Sequence, residues 1–388
     1  MKDKRRDAKL VMLEHSKAKI ELYSTYLSTY LNILSRVSYI KRIHLYDLMC
    51  GEGIYDDGSK GSPVIAMEKI KQHYFSNKNT SPDIEVWFND KDESEIEKGI
   101  YKIERVKRFV SKIFVPSNVQ VKYTREDYNN LLPEIFKAIS LFKNEKALIF
   151  IDPYGYKEIK HEHIKSLLSS GNVELILFLP ISHMYRFLNK SLSSDDFPGG
   201  EPLRNFVSPL FENLDGLNNA SSVLNFVDNL KEAYRQYLQY EKILVDTFTI
   251  ERNQQNTYAL FFFTPNILGF EKMLEAKWKI DEHQGKGFKI NSKQTDLFSD
   301  VQMTDYPEKL KDYIGSVDYR TNGDIYLFGL KNGFLPKHTN EVLREFQKTN
   351  SSFVVLDSDG NKHRRGSFHI NYHDYRDKKI VIIKILKD

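Results

Sequence analysis

Asp47-Leu48-Met49-Cys50-Gly51-Glu52-Gly53 is the stretch that decides how this chain folds. The apolar run 43–50 reads as a strand, and it ends on two glycines that let backbone approach a ligand with a helix N-terminus behind. A dinucleotide-binding turn would continue to a third glycine, but Ile54, Tyr55 and Asp56 follow Gly53. No Lys-Ser/Thr pair follows either, which excludes a phosphate-binding P-loop. Asp47 inside the turn would also repel a pyrophosphate.

The pattern repeats outward from that stretch. Residues 84–89 run into Asp90, 119–123 into Arg125-Glu126-Asp127, 147–151 into Asp152-Pro153-Tyr154-Gly155, and 173–179 into Pro180. Helical stretches lie between them near 63–76, 93–113, 129–143 and 158–170. Strands apolar on both faces and separated by helices predict a parallel sheet covered on both sides. The runs 243–250 and 258–264 are separated only by 251–256, which suits an antiparallel hairpin. The expectation is an α/β fold: a Rossmann-like sheet of seven strands, one of them antiparallel.

Ahead of it, Ile20, Tyr23, Tyr26, Leu27, Tyr30, Leu31, Ile33 and Leu34 recur at helical spacing, which predicts a helix over 16–37. The organisation expected is a helical segment 1–42, a sheet domain 43–290 with an insertion at about 183–240, a linker 291–305 and a small module 306–388. The insertion holds a loop, 191–202, and a helix around 220–240; Gln284-Gly285-Lys286-Gly287 reads as a flexible break. In the module, 324–330 is a short strand or a helix end, and Thr339 or Asn340 caps a helix running to 349. A hairpin pairs 352–356 with 368–371 about Asp357-Ser358-Asp359-Gly360, so the module reads as winged-helix-like.

Composition narrows the class. The 388 residues are 40% hydrophobic and 28% charged, an ordinary globular balance rather than a disordered one. The net charge of +4 permits a polyanionic partner without requiring one. A single cysteine, Cys50, leaves no disulfide framework and points to a reducing, cytoplasmic setting. The charged start, Met1-Lys2-Asp3-Lys4-Arg5-Arg6-Asp7, is no signal peptide, and the apolar runs are too short to span a membrane.

Ligands of open α/β sheets bind at the carboxyl ends of the strands. An acid ahead of two glycines suits a cationic ligand such as S-adenosylmethionine, with its sulfonium and amino group. Asp47, Gly51 and Gly53 would hold the methionine end, Asp90 both ribose hydroxyls, and Asp127 the adenine amine. Asp152, Pro153 and Tyr154 suit an acceptor amine: carboxylate and backbone carbonyl take its two N–H bonds while the ring stacks on a base. No metal is expected. His161 and His163 fall at a helical start, His369 and His373 in the C-terminal hairpin, and Asp56-Asp57 in a turn. A metal-dependent nuclease using Asp152 and Glu158 is a weaker rival.

These residues resemble class I S-adenosylmethionine-dependent methyltransferases, in strand order and in the placing of Asp47, Gly51, Gly53, Asp90, Asp127 and Asp152. More closely, the chain resembles the three-Cys-motif partner (TcmP) proteins of bacteria. The matching stretches are Asp47 to Gly53 with Tyr55-Asp56-Asp57-Gly58 and Gly61-Ser62-Pro63, then Phe88-Asn89-Asp90-Lys91-Asp92 and Asp152-Pro153-Tyr154-Gly155. The resemblance implies a methyltransferase-like fold and a companion protein with a three-cysteine, radical-S-adenosylmethionine-like motif. Pro-Tyr-Gly is closer to the block of tRNA guanine-N2 methyltransferases than to the Pro-Pro-Tyr of adenine enzymes, which leaves the base open. The activity expected is methylation of an exocyclic amino group in DNA or RNA. The alternative is a non-catalytic cofactor-binding scaffold for the three-cysteine protein or a defence complex. Lys362-His363-Arg364-Arg365 and Arg376-Asp377-Lys378-Lys379, with Tyr372 and Tyr375, offer nucleic acid a basic surface on the C-terminal module.

Overall fold

The computed structural model describes residues 12–77, 82–91, 100–153, 155–193, 200–211, 220–253, 256–281, 285–289 and 301–386. They form two compact units: 1–266 with 287–291, and 267–286 with 292–388.

The first unit is built on one mostly parallel sheet. Helix α1 (Glu14–Leu34) precedes β1 (Arg42–Asp47), α2 (Ser62–Asn77), β2 (Asp83–Asn89), α3 (Lys102–Val110) and β3 (Val119–Thr124). Then come α4 (Tyr128–Ser140), β4 (Glu145–Ile151), α5 (His161–Leu168), β5 (Val173–Leu179), α6 (Ile181–Ser193), α7 (Gly200–Val207) and α8 (Val223–Tyr237). The hairpin β6 (Leu244–Asn253) and β7 (Asn256–Thr264) follows, and β8 (Gly287–Lys289) closes the sheet. The strand order is β3-β2-β1-β4-β5-β7-β6-β8. Only β7 runs against its neighbours.

The expected seven strands are therefore eight. Gly287, read from sequence as part of a flexible break, starts a strand that pairs in parallel with Thr249–Glu251 of β6. Phe150 and Phe262 of the sheet meet rings of α1: Tyr23 lies 4.8 Å from Phe150, and Tyr26 4.9 Å from Phe262. Those two tyrosines sit three residues apart on the buried face of α1, as its apolar spacing requires. Helix α7 in the 183–240 region carries no strong sequence signal, because Gly200 and Pro202 mark its start like a loop.

The second unit holds α9 (Ile267–Ile280), α10 (Val301–Gly315), β9 (Arg320–Thr321), α11 (Asn322–Lys331), α12 (Pro336–Thr349), β10 (Phe353–Leu356), α13 (Tyr372–Arg376) and β11 (Ile382–Ile385). Its small antiparallel sheet has the order β10-β11-β9. Three sequence expectations change here. The partner of β10 is β11 and not 368–371, so His369 and His373 lie outside any hairpin; Asn371 instead caps α13. Residues 324–330 are helical, started by a reciprocal Thr321–Asp324 capping box. Helix α12 begins at Pro336, ahead of Thr339 and Asn340, because proline suits a first helical turn. Residues 301–305, placed in the expected linker 291–305, belong to α10; the rest of that linker lies outside the described residues.

Candidate functional site

The strand order turns back on itself between β1 and β4, which are neighbours in the sheet. At such a switch point the loops leave in opposite directions and open a crevice at the carboxyl ends. Asp47 ends β1 on one side of it, and Asp152 follows β4 on the other.

The glycine turn is tightly built. Gly51 and Gly53 have φ of 66° and 78°, left-handed values that glycine takes without strain. A Cβ on Gly53 would lie 3.1 Å from Val106 Cγ2 of α3, so helix and loop approach as closely as hydrogen allows. Arg105 of α3 clasps the loop, donating to Glu52 Oε2 at 2.7 Å and to Asp56 Oδ1 at 3.1 Å. The Gly61 amide donates to the Gly53 carbonyl at 2.7 Å just before α2 starts at Ser62. Asp57 accepts from the Ser59 amide at 2.9 Å and the Met12 amide at 3.2 Å, fixing the turn and tying it to the start of α1.

Asp47 is 2% exposed, and neither carboxylate oxygen meets a donor in hydrogen-bond geometry among the described residues; the Ser62 hydroxyl is close but misaligned. Burial pushes its pKa up to about 7; the nearby Ser62 hydroxyl and the Lys19 ammonium pull it down, and the Asp152 and Asp90 carboxylates raise it. A buried acid left in that condition costs stability. Cys50 next to it is held as a neutral thiol, pushed far up by burial and by the Asp47 and Asp90 carboxylates, which makes it a poor nucleophile.

The other expected residues divide. Asp90, also buried, accepts from the Gly51 amide at 2.8 Å, so it braces the turn from β2. Asp127 is the N-cap of α4, accepting from the Asn129 amide at 2.8 Å and paired with Lys91 at 3.4 Å. Those bonds keep its carboxyl below the usual range: the Asn129 amide contributes most, against burial, with the Asn129 side chain and Lys91 adding to it. Asp152 is half-buried and Pro153 buried, whereas Tyr154 lies outside the described residues. Asp47, Gly51, Gly53, Asp90 and Asp152 thus gather at one sheet edge, with Asp127 at the capped margin.

Two residues here escaped the sequence reading. Asn89 Nδ2 donates to the carbonyls of Leu48 and Glu126 at 3.0 Å each, while its Oδ1 accepts from Thr124 Oγ1 at 2.9 Å and the Glu126 amide at 3.0 Å. One amide therefore stitches the ends of three strands together. Lys19 of α1 is the second: it is 6% exposed and its Nζ donates to Asp152 Oδ2. A lysine in register with Tyr23, Tyr26 and Tyr30 on a buried helix face was the signal available.

Among the described residues, no group of three His, Cys, Asp or Glu side chains is disposed to hold a metal ion, and no helix is long and apolar enough to cross a membrane. Fold and site together define a doubly wound α/β domain with carboxylates gathered at its switch point. No known protein-family profile matches the chain, and no curated protein matches it. Solved structures do. Trm1 from Pyrococcus horikoshii, in complex with S-adenosyl-L-methionine, is 15% identical with a TM-score of 0.35. That match covers 69% of this chain and 62% of the Trm1 chain. A Legionella pneumophila protein of the DUF519 family is also 15% identical at a TM-score of 0.35, over 66% of this chain and 89% of its own. The O-methyltransferase TomG from Streptomyces achromogenes, with its methyl donor, is 11% identical at 0.29, over 61% and 79%.

Proposed function

We propose that this protein is an S-adenosylmethionine-dependent methyltransferase acting on an exocyclic amino group of a nucleic-acid base. The observation that carries the reading is the buried Asp47 at the switch point, its carboxylate without an aligned hydrogen-bond donor and its charge coupled to that of Asp152. A cationic, N–H-bearing ligand is what that carboxylate lacks, and the methionine end of the cofactor fits the requirement. When bound, the cofactor supplies the methyl group. The protein supplies alignment: Asp47 and the Gly51–Gly53 turn hold the methionine end, Asp90 the ribose side and Asp127 the adenine side. Asp152 with Pro153 and Tyr154 accepts the N–H bonds of the target amine, so that its lone pair is aimed and water is kept out. No strong base is needed for such a transfer.

In the second unit, the succession α10, β9, α11, α12, β10, β11 with the sheet order β10-β11-β9 supports reading it as a winged-helix module. Its basic segment at 362–365 would lie on phosphates. Membership of the TcmP family, a three-cysteine partner protein and a cytoplasmic bacterial setting are parts of the same proposal. The test is calorimetry with S-adenosylmethionine, S-adenosylhomocysteine and NAD, followed by labelled-methyl transfer to DNA, tRNA and rRNA. Binding of the first two without NAD, with label entering one nucleic acid, is expected. Binding of neither methyl-cofactor form overturns the proposal, and binding without transfer to any acceptor favours the scaffold.

A further inference from the structure

The start of α1 packs over the carboxyl ends of β5 and β4. His15 stacks on Tyr258 with centroids 4.6 Å apart and planes 8° apart, and Tyr258 stacks on Phe178 at 5.3 Å. Lys19, one turn further along, sends its ammonium over the Phe178 ring at 4.6 Å and onto the Asp152 carboxylate. The amine thus occupies the place where the proposed chemistry requires the target amine.

Stability does not account for this arrangement. Burying an ion pair costs about as much as the pair returns, and an apolar pair of similar volume serves as well. Nor is Lys19 a self-substrate. Burial lowers its pKa, but the charges of Asp152, Tyr55 and Asp47 outweigh burial and leave it raised. The nitrogen therefore keeps its proton and has no lone pair to take a methyl group. A protonated lysine can sit beside a methyl donor without reacting.

We propose that Lys19 is a built-in occupant of the acceptor place, holding Asp152 until an incoming amino group displaces it. The inference rests on the function proposed above and deepens it: Lys19 sets how strongly an acceptor must bind to be methylated. It acts through Asp152 and is a positioning residue.

The test compares the full-length wild type with Lys19→Met and Lys19→Arg, each first checked for cooperative thermal unfolding; Lys19→Gln replaces Lys19→Met if the latter does not fold. Calorimetry with S-adenosylmethionine comes first, then steady-state methyl transfer to bulk tRNA, rRNA and sheared genomic DNA, then intact-protein mass after incubation with the cofactor alone. In Lys19→Met the acceptor KM should fall about ten-fold, the worth of one hydrogen bond to a charged group, without loss of kcat. Cofactor affinity should hold, and Lys19→Arg should restore the wild-type KM. An unchanged or raised KM, a loss of cofactor affinity, or a wild-type mass gain that maps to Lys19 overturns the inference. A wild type that binds no cofactor overturns the underlying function instead, and calorimetry reports this before any transfer is measured. Cofactor binding with no transfer by either protein overturns both.

Discussion

Two buried carboxyls at opposite edges of one sheet are both pushed up to about 7 by burial, yet they live differently. Glu174, at the amino end of β5, accepts from the Tyr26 hydroxyl and, at 2.9 Å, from Thr264 Oγ1. His44, at the same edge, is likewise engaged on both nitrogens, with Glu145 at 2.6 Å and Tyr46 at 3.0 Å. Asp47, at the carboxyl edge, has nothing comparable. At the amino edge both Glu174 oxygens are satisfied, even though the neighbouring Tyr30 hydroxyl is buried without a partner among the described residues. The carboxyl edge keeps an incomplete interaction, which is where a ligand gains most by binding. Burial and pKa alone do not tell the two apart; the hydrogen-bond inventory does.

The sharpest way to break this comparison is Asp152→Ala, which should lower methyl transfer by about 10²–10³-fold, the scale for losing one aimed group, while cofactor binding persists. Loss of cofactor binding alongside transfer would move Asp152 out of the acceptor role. Next comes Asp47→Asn, judged by melting curves against pH. Both carboxyls stay protonated in the folded chain up to about pH 7, but have ordinary values of 3.8 and 4.5. Folding therefore takes up protons in between, so stability falls as pH rises through that window and levels off above it. At pH 8, Asp47→Asn should be more stable than the wild type by about 2–4 kcal/mol, an advantage that vanishes near pH 4. If the variant is instead less stable at pH 8, Asp47 belongs with Glu174 as a structural group. Tyr26→Phe probes the other edge: it removes a donor from Glu174 and should cost about 1–3 kcal/mol in denaturant unfolding, leaving cofactor affinity alone. The smallest effect is expected from Gly53→Ala. A side chain at φ 78°, pressed on Val106, should cost about 1–2 kcal/mol and loosen cofactor binding only through the turn.

Much of the sheet was legible because each strand is a short apolar run ended by an acid, glycine or proline, a signal local to a few residues. The carboxylates at the strand ends were legible for the same reason. What stayed hidden depends on groups distant in sequence. Gly287 looks like a breaker until Thr249 offers it an edge to pair with. Residues 368–371 alternate apolar and polar as a strand should, yet β10 pairs with Ile382–Ile385. That Asp127 also caps α4 through the Asn129 amide was not visible in the sequence. Lys19 was hidden by its helix: its partner is 133 residues away.

That separation has a consequence for how the chain is made. Helix α1 leaves the ribosome ahead of the sheet, and Asp152 follows Lys19 by 133 residues and Glu174 follows Tyr26 by 148. At about 5–20 residues per second, α1 waits on the order of ten seconds for its docking partners. An isolated helix of 21 residues is marginal in water, and its tyrosine-rich face stays uncovered throughout. Nascent chains paused before β4 should therefore be the species most prone to chaperone capture and to self-association.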